Sequence, residues 1–154
     1  MPLIYFDNAA TSYPKPPEVF EAMQRFMAEA GGNPGRSGHR LATGAEATIA
    51  ETRLAVARFF GLADPRRCIF TLNGSDALNM ALKGILRTGD HAVTSSLEHN
   101  SINRPLQRMA DEGRITFDRV SGHPDGGWSV DDILKTIRPT TRLVALTHSP
   151  NAFG

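Results

Sequence analysis

Three polar runs, each directly after an apolar stretch, hold the side chains with chemistry to offer. Thr71-Leu72-Asn73-Gly74-Ser75-Asp76-Ala77 joins a strand-like run to a helix-like one through a glycine. A helix start presents unpaired N–H groups and a partial positive charge, and Gly74 lets a phosphate come close to the backbone while Ser75 adds a hydroxyl. The same residues also read as plain architecture, with Gly74 turning, Ser75 capping and Asp76 complementing the helix dipole. Ser95-Ser96-Leu97-Glu98-His99-Asn100-Ser101 puts an imidazole where the next strand ends. There His99 can stack on a flat ring or move a proton, whereas Glu98 reads as a solvated acid near a helix start. The third run, His148-Ser149-Pro150-Asn151, places the Asn151 amide past another strand end. Polar groups at three strand ends on one edge of an α/β sheet point to a ligand site.

The elements that must position these groups follow from periodicity. Ile4–Thr11 reads as an extended arm, closed by the proline-rich turn at Ser12–Pro17. Val19, Met23, Phe26, Met27 and Ala30 recur at helical spacing up to Gly31-Gly32. Asn33–Arg40 is a loop by composition. A second helix presents Ile49, Thr52, Val56, Phe59 and Phe60 on one face and ends at Gly61. From there strands and helices alternate. Cys68–Leu72 is a predicted strand, and Ser75–Leu86 a helix with Leu78, Ala81, Leu82 and Ile85 inward. His91–Ser95 is a strand, Ile102–Asp111 a helix, and Ile115–Val120 a strand. Ser129 caps a helix bearing Val130, Ile133, Leu134 and Ile137, and Arg142–Thr147 is the last strand. The unbroken Leu143-Val144-Ala145-Leu146 predicts burial on both faces. This alternation is the pattern of a three-layer α/β/α domain with a mostly parallel sheet. The organisation is an arm, helix and loop over residues 1–43, then the first part of a larger α/β domain over 44–154.

Bulk properties exclude several classes. The 154 residues suffice for a core, and 40% hydrophobic with 21% charged content is ordinary for a globular chain. A net charge of +1 gives no electrostatic case for nucleic acid or an anionic membrane. The only lysines are Lys15, Lys83 and Lys135; the remaining basic residues are arginines, which grip anions but cannot form a Schiff base. A lone Cys68 excludes an internal disulfide and a multi-cysteine metal site, so no metal is expected. Neither a signal peptide nor a membrane-length apolar run is evident, which makes the cytoplasm the default.

Taken together, these motifs resemble the opening part of the class V aminotransferase family of pyridoxal 5'-phosphate (PLP) enzymes, within it the cysteine desulfurase and selenocysteine lyase group. Tyr5-Phe6-Asp7-Asn8-Ala9-Ala10-Thr11 is similar to that family's opening arm. Asn33-Pro34 through His39 is similar to its N-terminal loop, and Asn73–Ala77 to its phosphate-binding turn. Glu98-His99-Asn100-Ser101 resembles its ring-stacking histidine segment, and His148–Asn151 the strand end beside the cofactor. The resemblance implies a partial fold-type I large domain. In that sheet the third, second and fourth strands lie side by side, and the first lies beyond the seventh. It also implies that Gly74 and Ser75 hold the PLP phosphate and that His99 stacks on the ring. Asn151 would lie near the cofactor and substrate carboxylate, Asn8 and Ala9 would border the substrate pocket, and Arg36 and His39 would lie near a homodimer interface.

By the same resemblance, the activity is removal of sulfur from an amino acid such as L-cysteine, giving alanine and an enzyme persulfide. The family's Schiff-base lysine and pyridine-nitrogen aspartate correspond to positions past Gly154, and Cys68, expected as a buried strand residue, does not match its sulfur-accepting cysteine. The expectation is therefore an N-terminal portion, inactive alone, that binds PLP without covalent attachment. The alternative is a non-catalytic binding or interaction module derived from the same family.

Overall fold

The computed structural model describes residues 3–8, 10–35, 38–123 and 127–148. The chain divides into two compact units, Met1–Ile69 and Phe70–Gly154.

In the first unit the arm does not stay extended to Thr11. The N–H groups of Ala10 and Thr11 both donate to the Asp7 carbonyl, and the Tyr5 hydroxyl donates back to the Thr11 carbonyl at 2.9 Å. Helix α1 spans Pro17–Glu29, with Pro17 at a first-turn position where its missing N–H costs nothing. Helix α2 spans Arg40–Phe59, and the His39 ring caps it by accepting from the Ala42 N–H. The helix-turn region between them needs glycine at one place: a Cβ on Gly32 would sit 2.6 Å from the Leu41 carbonyl carbon.

The covered face of α2 differs from expectation. Its buried residues are Ala42, Ala45 and Ala57, while Phe59 is 83% exposed and Phe60 also faces solvent. Small residues set this contact. A Cβ on Gly44 would lie 3.1 Å from the Ala30 Cβ, so the chain approaches too closely there for a bulky side chain. Past α2, Asp64 caps a single 3-10 turn at Pro65–Arg67. Cys68–Leu72, strand-like in sequence, forms no β-ladder among the described residues; the Cys68 backbone is extended and Leu72 lies in a bend. Cys68 is half-buried rather than buried, and its carbonyl accepts from the Arg53 guanidinium at 3.0 Å.

The second unit contains α3 (Gly74–Ile85), β1 (His91–Ser95), α4 (Asn100–Asp111), β2 (Thr116–Val120), α5 (Val130–Thr136) and β3 (Thr141–Ala145). The three strands form a parallel sheet of order β2-β1-β3. That is the side-by-side order implied by the resemblance for the corresponding strands, and the α/β class holds. All five residues of β1 are buried, as befits a central strand covered on both faces.

One face of the sheet, with Ala92, Phe117, Leu143 and Ala145, packs on Leu82 of α3, on Leu86 at its C-cap, and on Ile102, Leu106 and Met109 of α4. The other face sets Val93 and Val120 against Ile133 of α5, with Trp128 and Leu146 alongside. Two expectations need correcting here. Ala81 and Ile85 are exposed, because α3 turns its Leu78–Leu82–Leu86 line toward the core. β3 is not buried on both faces. Its burial alternates and Val144 is 40% exposed, as on an edge strand.

Candidate active site

The site is built at the carboxyl ends of the strands, from the first turns of α3 and α4. Helix α3 starts without any help from the Ser75 hydroxyl. Asn73 is the cap: its Oδ1 accepts from the Asp76 N–H at 2.9 Å, and the Asp76 carboxylate accepts in return from the Leu72 N–H at 3.3 Å. Capping by Asn73 frees Ser75 to face outward. Among the described residues no acceptor takes the N–H groups of Gly74 or Ser75, and a Cβ built on Gly74 meets nothing within 4 Å.

His99 caps α4 in the same manner. The Ser101 backbone N–H donates to His99 Nδ1 at 3.1 Å, and the Ser101 hydroxyl lies 2.9 Å from the same nitrogen. A backbone N–H can only donate, so Nδ1 is an acceptor here and the ring proton of the neutral imidazole resides on Nε2. The Ser101 hydroxyl also lies 2.5 Å from that of Ser75. Gly74, Ser75 and His99, singled out separately in the sequence, thus share one hydroxyl-linked cluster. Two helix N-termini meet there, each carrying about half a positive charge, so an anion at their junction is favoured. A flat anionic ligand could rest its charged end on the N–H groups of α3 and its ring against His99.

A groove of about 720 Å³ runs from this cluster between α3 and α4, past Asn79, Lys83 and Arg104. At its far end Glu112 holds Arg108 at 2.6 Å and Arg114 at 3.8 Å.

Beneath the cluster lies a residue whose sequence reading was wrong. Glu98 is not a solvated acid but is only 7% exposed. Its carboxylate accepts from the Ser95 hydroxyl at 2.8 Å, the Thr147 N–H at 2.8 Å and the Thr147 hydroxyl at 2.5 Å. Nothing in the linear sequence marks Glu98 as buried, because two of its three donors come from Thr147, 49 residues away. Ser101 was equally inconspicuous; only its place in the first turn after His99 hinted at a role.

Asn8 belongs to the first unit, where its Oδ1 accepts from the Tyr13 N–H at 3.1 Å. Ala9, Arg36 and Asn151 lie outside the described residues.

A model of the aminotransferase class-V family matches residues 4–154. The chain belongs to that family. Among curated relatives it is 36% identical to a probable cysteine desulfurase of Pyrococcus abyssi, over 99% of this chain and 38% of the relative. It is 34% identical to selenocysteine lyase of Homo sapiens, over 98% of this chain and 38% of that protein. The chain therefore spans well under half the length of the relatives it matches. Among solved structures, the apo cysteine desulfurase of Thermococcus onnurineus NA1 superposes with a TM-score of 0.87 at 36% identity, covering 98% of this chain and 38% of that one. The structure of SspA in complex with cysteine gives a TM-score of 0.85 at 29% identity, covering 96% and 42%. The class-V family is PLP-dependent, and the open Gly74 cradle with its two helix N-termini suits a phosphate-bearing cofactor.

Proposed function

We propose that this chain supplies the phosphate and ring-face contacts for PLP in a cysteine desulfurase-like enzyme acting on L-cysteine, with alanine and a persulfide as products. One observation carries the reading: Ser75, Ser101 and His99 form a continuous polar contact at the meeting point of two helix N-termini, on the carboxyl edge of a parallel sheet. The Gly74 and Ser75 N–H groups and the Ser75 hydroxyl would receive the phosphate. The His99 ring would cover one face of the pyridine, with Nε2–H free to donate. Asn151 would contact cofactor and substrate carboxylate, and Asn8 and Ala9 would border the substrate. When bound, PLP supplies an electron sink for bond-breaking at the amino acid's carbons. The protein's part is to hold that ring in one orientation and to place a proton donor at its face.

The enzyme so read is a cytoplasmic homodimer. Cys68 is no candidate sulfur acceptor, because it is half-buried and its main chain is tied to Arg53. Contacts for phosphate and ring face, without a lysine in a cofactor motif, give reversible binding. The test is a titration of the chain with PLP, followed by competition with inorganic phosphate and reduction with borohydride. Saturable binding that phosphate displaces and that leaves no single reduced lysine adduct is the expected result. Absence of saturable binding would refute the reading.

A further inference from the structure

The buried carboxylate of Glu98 has no place in the contacts just assigned, yet it occupies the junction beneath them. Among the described residues no lysine, arginine or histidine pairs with it, so no opposite charge compensates its removal from water. Burying such a group costs free energy unless hydrogen bonds replace its hydration. Three donors do so, and their positions are informative. The last rung pairing β1 with β3 is Thr94 with Ala145. Beyond it the two strands have no further ladder, and the Glu98 side chain takes over, accepting both the main-chain N–H and the hydroxyl of Thr147. Ser95 Oγ–H, at the last residue of β1, donates to Oε1, which also takes the Thr147 N–H, while the Thr147 hydroxyl goes to Oε2. On the α4 side the Asn103 amide donates to the Glu98 carbonyl at 2.8 Å. The residue immediately before His99 is thereby fixed to β1, β3 and α4 at once.

We propose that Glu98 is a positioning residue: its carboxylate joins the end of β3 to the backbone carrying His99, and so sets the ring plane against which a bound cofactor stacks. The inference rests on the PLP reading above.

The hydrogen-bond pattern predicts which substitution is tolerated. In Glu98→Gln the amide oxygen replaces the carboxylate oxygen that takes two donors. The NH2 then donates to the Thr147 hydroxyl, which reverses its role. All three bonds survive without the charge. Glu98→Ala removes them all, and Thr147→Val removes only the hydroxyl bond. The full chain and these variants are compared by PLP titration, by inorganic phosphate titration followed in NMR spectra, and by the imidazole 15N shifts of His99 without ligand. Glu98→Ala is expected to weaken PLP by about tenfold, the loss of roughly one good hydrogen bond's worth of ring positioning. Its phosphate affinity stays at the wild-type value, because the α3 donors do not touch Glu98. Its His99 15N shifts move away from the pattern of an unprotonated Nδ1, and Glu98→Gln matches wild type in all three readouts. If Glu98→Ala does not fold, Thr147→Val carries the test, with a smaller loss in the same two readouts. PLP and phosphate affinities falling together, or His99 shifts and PLP affinity both unchanged in the folded variant, would overturn the proposal. Should the wild-type chain bind no PLP, the functional reading fails, and the His99 shifts of Glu98→Ala against Glu98→Gln alone decide whether Glu98 positions that ring.

Discussion

The hydroxyl oxygens of Ser75 and Ser101 stand 2.5 Å apart, joining the first turns of α3 and α4. Neither serine is needed to cap its own helix, since Asn73 and His99 do that. The contact instead bridges two helices whose positive ends would otherwise repel. If the bridge is a real coupling, a double-mutant cycle of Ser75→Ala and Ser101→Ala will show it. Urea unfolding should give an interaction of ~0.5–1.5 kcal/mol, the net value of one hydrogen bond. Additive losses would mean the hydroxyls are merely adjacent.

Gly74→Val separates binding from folding. A Cβ at this position meets nothing within 4 Å, and its backbone is that of an ordinary helix start. Stability should therefore change by no more than ~1 kcal/mol, within the range of helix propensities. Phosphate and PLP binding should nevertheless disappear, because the branched side chain occupies the approach to the α3 N–H groups. Retained binding in a well-folded Gly74→Val chain would make the turn purely architectural.

Asn73→Ala should cost ~1 kcal/mol in urea unfolding, the usual value of a lost N-cap, and Ser75→Ala clearly less when both are made in a Ser101→Ala background, where the Ser75–Ser101 bond is already absent. The reverse ranking would restore Ser75 as the cap. This assignment shows where the sequence was legible and where it was not. Strand–turn–helix alternation, the parallel sheet and the positions of Gly74 and His99 all follow from local pattern, because apolar period and glycine placement are local signals. Which residue caps, and which way a helix faces, depend on what packs against it. Phe59 and Phe60 looked like core from their spacing, but α2 is covered where its alanines allow close approach. Cys68–Leu72 has strand composition, yet composition cannot provide a neighbouring strand, and Leu72 is left 92% exposed. Glu98 is the sharpest case. An acid beside a helix start is normally solvated, and only the return of β3 to the edge of β1 brings Thr147 to it.

At the opposite end of β1 a buried imidazole contributes to the pH dependence of stability. His91 is fully buried, with Nδ1 2.7 Å from the Thr141 hydroxyl and Nε2 3.4 Å from the Asp118 carboxylate, which also pairs with Arg138. Burial lowers the His91 pKa below its ordinary 6.5; the Arg138 charge adds to this and Asp118 opposes it. The folded chain thus resists a proton that the unfolded chain accepts. Well above pH 6.5 the ring is neutral in both states and contributes no slope. As pH falls through that value the unfolded state gains protons first, so stability drops until the folded-state pKa is passed. One proton sets a ceiling of about 1.4 kcal/mol per pH unit on this loss. Urea midpoints measured between pH 7.5 and 5 should fall for the wild-type chain and flatten in His91→Gln. Asp118→Asn should steepen the fall, since it removes the one neighbour that favours the imidazolium. An acid slope identical in wild type and His91→Gln would assign the loss to other groups.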